Sequence, residues 1–466
     1  MTESLHVTDH ARDVGRASRP EWIAVKSFLL AILVGTALLM LPASSREGVW
    51  TGWVDALFTA TSATCVTGLI VVDTGSYFSR FGQWVIIVLI QIGGLGIMTL
   101  GTFLLVAVGR RISLRHEKVV IGTIGDDPVH GLKSILLLTI LFTAMSVVAG
   151  TAVLSARFIA RGFGTGRSME LALFHSISAF CNAGFSLFSD SLMGVREDPV
   201  IVLTVAGLIV TGGLGFLVVH NLVFLRPWRK SRARRGRLSL HSAMVLSSTL
   251  FLVAGGGALF ALLEWHGALE TLSWPHKLVA ALFQSVTART AGFHVVDVAE
   301  FAPVSLFLTA ALMFVGGGSG SAAGGIKVTT AVVLGLTVVA MLKGHDETAF
   351  RGRAISTRVV REALSIFVMG VLCITLIFGA LLFIEQRHLL LQPGVAVFDL
   401  FFEMVSAFGT VGLSTGVTAN LSSPGKLLIS ATMFIGRLGP ITLALMIGRS
   451  KSRKVIAYAE EEVFVG

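Results

Sequence analysis

Four short stretches of this chain offer the same chemistry. Val66-Thr67-Gly68, Asn182-Ala183-Gly184, Thr290-Ala291-Gly292 and Thr410-Val411-Gly412 each follow an apolar run and each end in glycine. The glycines stand 116, 108 and 120 residues apart, so a long-period internal repeat has to be considered first. Backbone carbonyls held in such turns can replace the hydration shell of a cation. Glycine suits the task because carbonyls aligned toward an axis need dihedral angles that are costly for other residues. A helix ending at each turn would aim its negative C-terminal end at the same point. One such turn would more readily be a connection between tilted helices; four in register reverse that weighing.

The flanking residues repeat as well. Asp55–Leu69, Leu173–Phe185, Leu282–Phe293 and Phe398–Gly416 share Leu or Phe before Phe, then Ser or Thr before Ala, then the turn. The third copy is one residue shorter between Ala288 and Gly292, so the four turns need not share one shape. The apolar run before each turn is too short to cross a hydrocarbon core needing about 20 helical residues, so it must enter and stop. Longer apolar segments flank each run. They are about Trp22–Leu41 and Phe81–Gly109, Leu132–Ala160 and Val200–Leu225, Leu240–Glu264 and Val304–Leu342, and Val359–Glu385 and Lys426–Gly448. The expected fold is an all-α integral membrane protein. It has four tandem helix–pore helix–helix repeats, that is eight transmembrane helices and four re-entrant pore helices, around a pseudo-fourfold pore. The expected boundaries are 1–21 for an N-terminal segment, then 22–115, 116–237, 238–350 and 351–449 for the repeats, and 450–466 for a tail. Non-helical backbone at that depth is tolerated only within protein or along a wet cavity.

Composition agrees with this reading. Of 466 residues, 54% are hydrophobic and 14% charged, with a net charge of +10, which excludes an ordinary soluble enzyme. Twenty-five of the 37 Lys and Arg fall in the N-terminus to Lys26, Arg110–Lys133, Arg226–Arg237, Lys343–Arg361 and Arg449–Lys454. The positive-inside rule makes these five segments, and both termini, cytoplasmic. The basic balance thus reports topology and not a nucleic-acid surface. Cys65, Cys181 and Cys373 have no CxxC spacing and suggest neither metal site nor disulfide. The twelve histidines are scattered without HExxH, so a membrane enzyme is disfavoured. Asp73, Asp190 and Asp297 follow three of the turns and could concentrate cations at an outer vestibule; ordinary loop charges are an equal alternative. Arg289, inside the third turn, is expected to pair with an acid or brace the turn.

A second glycine motif follows each turn: Gly93-Gly94-Leu95-Gly96, Gly212-Gly213-Leu214-Gly215, Gly317-Gly318-Ser319-Gly320 and Gly436-Arg437-Leu438-Gly439. Close helix packing through small residues accounts for the first two. In the third, Gly316–Gly325 (GGGSGSAAGG) has too little helix propensity to be a robust helix. It lacks the Gly-Lys-Ser/Thr of a phosphate loop, being followed by Ile326-Lys327-Val328. In the fourth, Arg437 replaces a glycine, and a buried intramembrane arginine is a functional candidate by default. Lys327 falls near the same level by repeat alignment.

Ser406–Gly416, Thr287–Phe293 and Ser178–Phe185 resemble the filter segments of the Trk/Ktr/HKT superfamily of potassium transporters, nearest its KtrB branch. The resemblance covers essentially the whole chain and implies potassium uptake across a bacterial inner membrane, with glycine in all four turns favouring potassium. It further implies a gate under the filter formed by Gly316, Gly317, Gly318, Ser319, Gly320, Ser321, Gly324 and Gly325, with Lys327 and Arg437 beside it. A homodimer, a cytoplasmic ring of nucleotide-binding KtrA-like regulatory subunits and stimulation by Na+ are also implied, with no covalent cofactor. The alternative is a sodium-coupled secondary transporter with a midplane cation site. Such transporters usually show inverted repeats, whereas these four share one orientation.

Overall fold

The computed structural model describes residues 20–94, 128–224, 238–389 and 395–439. Among these residues one order of elements recurs: an outer helix, a short inner helix, a turn, and a second helix that is cut off or broken. The first set is α1 (Pro20–Met40), α2 (Trp53–Thr64) and α3 (Arg80–Gly94). The second is α4 (Pro128–Ala160), α5 (Thr165–Phe180), α6 (Pro199–Leu214) and α7 (Phe216–Phe224). The third is α8 (Leu240–Glu264), α9 (Trp274–Thr287), α10 (Pro303–Phe314) and α11 (Val328–Leu342). The fourth is α12 (Thr357–Glu385), α13 (Val397–Gly409) and α14 (Ser423–Leu438).

Burial separates the inner helices from the outer ones. On α2 every residue from Phe58 to Thr64 is buried, and on α13 every residue from Phe402 to Gly409. The outer helices instead turn large apolar side chains outward, such as Leu30, Leu250, Phe251, Leu262 and Phe383. A 12-residue helix is about 18 Å long, well short of a hydrocarbon core of about 30 Å. Among the described residues three helices are long and apolar enough to cross a membrane: Leu137–Ala160, Leu240–Glu264 and Thr357–Glu385. The bent pair α6–α7 passes the same test jointly.

That bend corrects one expectation. The apolar run Val200–Leu225 reads as a single straight span, yet α6 and α7 meet at 94°. The break is at Gly215, whose φ of +87° is open to glycine at little cost. A side chain there would also strike the Ser319 carbonyl, 2.6 Å from an ideal Cβ. Helix α14 likewise stops at Leu438, before Gly439 with φ +83°. The remainder of that segment to Gly448, like Leu95–Gly109, lies outside the described residues. So do the N-terminal segment before residue 20, the tail, Arg226–Arg237, Arg449–Lys454 and most of Arg110–Lys133. The polar connection Gly344–Arg358 is also more ordered than its composition suggests. It folds into a hairpin, with β1 (Ala349–Phe350) antiparallel to β2 (Arg353–Ala354) about Arg351 and Gly352, both at positive φ.

Candidate functional site: four turns and a loop beneath them

Each inner helix ends in the same backbone figure. Two residues in each turn have positive φ: Val66 and Gly68, Asn182 and Gly184, Thr290 and Gly292, Thr410 and Gly412. A strand points successive carbonyls to opposite sides; alternation of hand brings them toward one side instead. The non-glycine members of each pair cost about 1–2 kcal/mol apiece in that region. Hydrogen bonds to the Ser or Thr of the repeated motif offset this. The Ser62 carbonyl accepts Thr67 N–H at 2.8 Å, Ser178 accepts Ala183 N–H at 2.7 Å, and Ser406 accepts Val411 N–H at 2.8 Å. In the shortened third copy the Thr287 carbonyl accepts Ala291 N–H at 2.9 Å. The missing residue is therefore absorbed before the turn, and the alternating dihedrals survive. The third copy thus differs in the bond that closes it, over four residues instead of five, as its shorter sequence allowed.

The four turns meet head to tail. An ideal Cβ on Gly68 would lie 2.4 Å from the Ala183 carbonyl oxygen, and one on Gly184 2.8 Å from that of Ala291. The same distance is 2.5 Å from Gly292 to Val411 and 2.1 Å from Gly412 to Thr67. The contacts run from the first turn to the second, third and fourth, and back to the first. Thr67, Ala183, Ala291 and Val411 are all fully buried. In the same turns the hydroxyls of Thr67 and Thr410 and the amide oxygen of Asn182 are buried without a hydrogen-bond partner. A set of buried oxygens beside a carbonyl ring is one that a cation or water would satisfy.

The glycine-rich loop sits against this ring. Its base is closed by a bridge between Val315 and Ile326, with Gly316 N–H donating to the Ile326 carbonyl at 2.8 Å. Gly318 N–H donates to the Gly213 carbonyl at 2.9 Å, and Phe216 N–H to the Gly320 carbonyl at 3.2 Å. Gly324 lies under the fourth turn, where a Cβ would fall 2.0 Å from the Thr410 hydroxyl oxygen. The Arg437 guanidinium donates to the Ala322 carbonyl and to the Gly93 carbonyl. Lys327 Nζ donates to the Ala323 carbonyl at 2.6 Å. Two cations thus hold adjacent carbonyls of one loop, and one of them ties the loop to the end of α3. Gly93, Gly212 and Gly436 fill a plainer role. Their Cβ positions would fall about 2 Å from the carbonyls of Thr64, Phe180 and Phe408, so these glycines let the second helix of a set touch the end of its inner helix.

The chain matches the family described as TrkH, cation transport protein, over residues 1–454. It is 38% identical to the Ktr system potassium uptake protein B of Bacillus subtilis over 97% of both chains. It is 40% identical to the protein of the same description from Vibrio alginolyticus, over 99% of this chain and 98% of that one. The chain belongs to the TrkH family of cation transport proteins. The potassium/sodium uptake protein NtpJ of Enterococcus hirae is 36% identical over 96% of this chain and 97% of its own. Among solved structures, the potassium transporter TrkH from Vibrio parahaemolyticus superposes with a TM-score of 0.70 at 20% identity, covering 94% of this chain and 87% of that one, a likeness of fold. This TrkH-family chain is therefore a helical membrane protein of a transport family, not of an enzyme family.

Other residues singled out in the sequence fall in more local roles. Asp73 accepts Ser76 N–H at 2.5 Å and Asp297 accepts Ala299 N–H at 3.0 Å, so both cap short turns. The backbone carbonyl of Asp190 accepts Met193 N–H at 3.0 Å. Arg289 finds no acid among the described residues. It donates to the Thr249 hydroxyl at 3.3 Å and braces the third turn against α8. Cys65 and Cys181 are buried and unpaired, and Cys181 Sγ fills the space in front of Gly94. Sequence reasoning missed four buried side chains. Glu264 accepts Ala302 N–H at 2.8 Å and Glu385 accepts Ser422 N–H at 3.1 Å; each fixes the start of the second helix from the end of the outer one. Glu403 and His175 lie inside α13 and α5. The rule that flagged Arg437 as an expensive intramembrane charge applies equally to Glu403.

Proposed function

We propose that this protein takes up potassium across a bacterial inner membrane through the ring of four turns. The observation that carries the reading is the closed head-to-tail packing of Gly68, Gly184, Gly292 and Gly412. A ring so closed presents carbonyls from four equivalent segments to one centre, the coordination a desolvated alkali cation needs. The descriptions of the Bacillus and Vibrio relatives support potassium as the cargo. Four repeats, eight spans and four re-entrant helices around a pseudo-fourfold pore account for the recurring order of elements. Val66, Thr67, Asn182, Ala183, Thr290, Ala291, Thr410 and Val411 complete the filter.

The loop 316–325 is the gate in this reading. Arg437 and Lys327 hold it by its carbonyls, and their charge opposes a cation leaving the filter inward. Asp73, Asp190 and Asp297 flank the outer mouth. The chain works as a homodimer with both termini cytoplasmic, and a ring of KtrA-like regulatory subunits biases the gate from that side, with Na+ as a stimulant of uptake. Rubidium uptake into liposomes, with growth rescue at low potassium in a strain lacking its own uptake systems, tests the reading. Failure of both at normal expression overturns it.

A further inference from the structure

One position on each inner helix stands three residues before the motif Ser or Thr. It holds Thr59, His175, Gln284 and Glu403, four polar residues, all buried, in a largely apolar layer. Two of them reach the segment that leaves the filter glycine. Glu403 accepts the Ser414 hydroxyl and Thr415 N–H on one oxygen and the Thr418 hydroxyl on the other. His175 contacts the Ser186 hydroxyl through Nε2 at 2.9 Å and the Leu171 carbonyl through Nδ1 at 2.7 Å. Since a carbonyl only accepts, Nδ1 donates; the single Ser186 hydroxyl proton is shared between His175 Nε2 and the Ser191 carbonyl, 3.0 Å away. The other two do not reach out. The Thr59 hydroxyl donates to its own helix at Asp55, and both amide atoms of Gln284 lack a partner.

Ser186 and Ser414 are each two residues past a filter glycine, in the second and fourth turns, which face each other across the ring. The fourth segment has a particular need of the contact. In the first three turns the motif hydroxyl donates to the carbonyl just after the glycine, from Ser62 to Leu69, Ser178 to Phe185 and Thr287 to Phe293. Among the described residues Ser406 makes no such bond and accepts Gly412 N–H instead. Glu403 is what holds that segment. We propose that Glu403 and His175 are positioning residues that fix two opposite sides of the outer filter and thereby its cation selectivity, while Thr59 and Gln284 have no part in it.

The inference rests on the potassium-uptake reading for its consequence but not for its geometry, so two measurements are made on the full chain. Rubidium uptake with sodium as competitor reports selectivity. Amide hydrogen exchange over residues 413–418 and 185–190 reports positioning without transport. Ser414→Ala and Ser186→Ala, which spare the buried acid and histidine, are expected to lower rubidium preference over sodium about fivefold to tenfold, with maximal rate retained, the effect of one lost hydrogen bond to such a group. Each should speed exchange in its own segment, and Ser414→Thr should restore both readouts. Thr59→Val and Gln284→Leu should leave the preference at its wild-type value. Wild-type protein that takes up no rubidium while Ser414→Ala still speeds exchange would overturn the uptake reading and keep the positioning. Unchanged exchange in both serine variants, or an equal loss of preference in Thr59→Val, would overturn the positioning itself.

Discussion

A hydroxymethyl group on Gly68 has no space. Its Cβ would fall 2.4 Å from the Ala183 oxygen, at a φ of +92° that side chains seldom adopt. Gly68→Ser is therefore expected to push the second turn out of line and to cut potassium preference over sodium by about tenfold, the size of about 1.4 kcal/mol of lost discrimination. Rubidium uptake with sodium competition measures it, and unchanged preference would remove the filter assignment. Gly93→Ala should behave differently. Its Cβ would meet the Thr64 carbonyl at 2.0 Å and the Val66 side chain at 2.7 Å, not a carbonyl of the ring, so the cost is overpacking of about 1–3 kcal/mol behind the first turn. A lower melting temperature in detergent is the expected outcome, with any loss of selectivity smaller than in Gly68→Ser. The glycines were legible because a backbone requirement leaves one residue type. The partners of Arg289 and Glu403 were not, since they are set by which segments meet across 40 residues or across a turn, and no local spacing records that.

At the level of elements, the loop Gly316–Gly325 is held by few and specific bonds. Arg437→Ala removes two donors to its surroundings, at Ala322 and Gly93. It should raise rubidium flux several-fold without the regulatory partner and leave selectivity nearly intact, because the ring does not depend on that side chain. Deletion of 318–324 should raise flux further; a folded deletion variant no faster than wild type would end the gate assignment. The short inner helices could be read from the sequence to within a few residues. Their ends are marked by the repeated Ser/Thr-Ala and by glycine, and their length forbids a crossing. The 94° bend at Gly215 could not, because a run from Val200 to Leu225 is uniformly apolar. What breaks it is the loop from another set, whose Ser319 carbonyl takes the place of a side chain. The hairpin at Ala349–Ala354 was hidden for the opposite reason. Polar composition reads as a connection, and only the pairing of two residues on each side makes it a structure.

At the scale of the whole molecule, the first and last sets are tied by distant contacts. Lys426 Nζ lies 2.9 Å from Asp55 Oδ1, across 371 residues of sequence. Both groups are partly exposed, so Lys426→Ala should cost about 0.5–1 kcal/mol, read as a small loss of thermal stability, and the exchange Asp55→Lys with Lys426→Asp should recover much of it. If the proposed regulatory ring docks at the basic hairpin residues Arg351 and Arg353, reversing both to Glu weakens binding of a KtrA-like subunit in pull-down and lessens the salt dependence of that binding. The helix and turn pattern led to the expectation of one shared axis, but not to which residues touch across it, because those contacts span nearly the full chain. That closure has a bearing on how the protein is made. The Thr67 carbonyl packs on Gly412, and the Gly93 carbonyl waits for Arg437, 344 residues later. As the chain emerges from the ribosome, the first turn is made before either of its neighbours, and the Thr67 carbonyl has no Gly412 to pack on until the fourth set is made. All four turns exist once Gly412 has been synthesised, before Lys426 and Arg437. In the reading proposed above, the loop 316–325 is made before the fourth turn, so no chain holds four turns without that loop, while the latch Arg437 follows Gly412 by 25 residues.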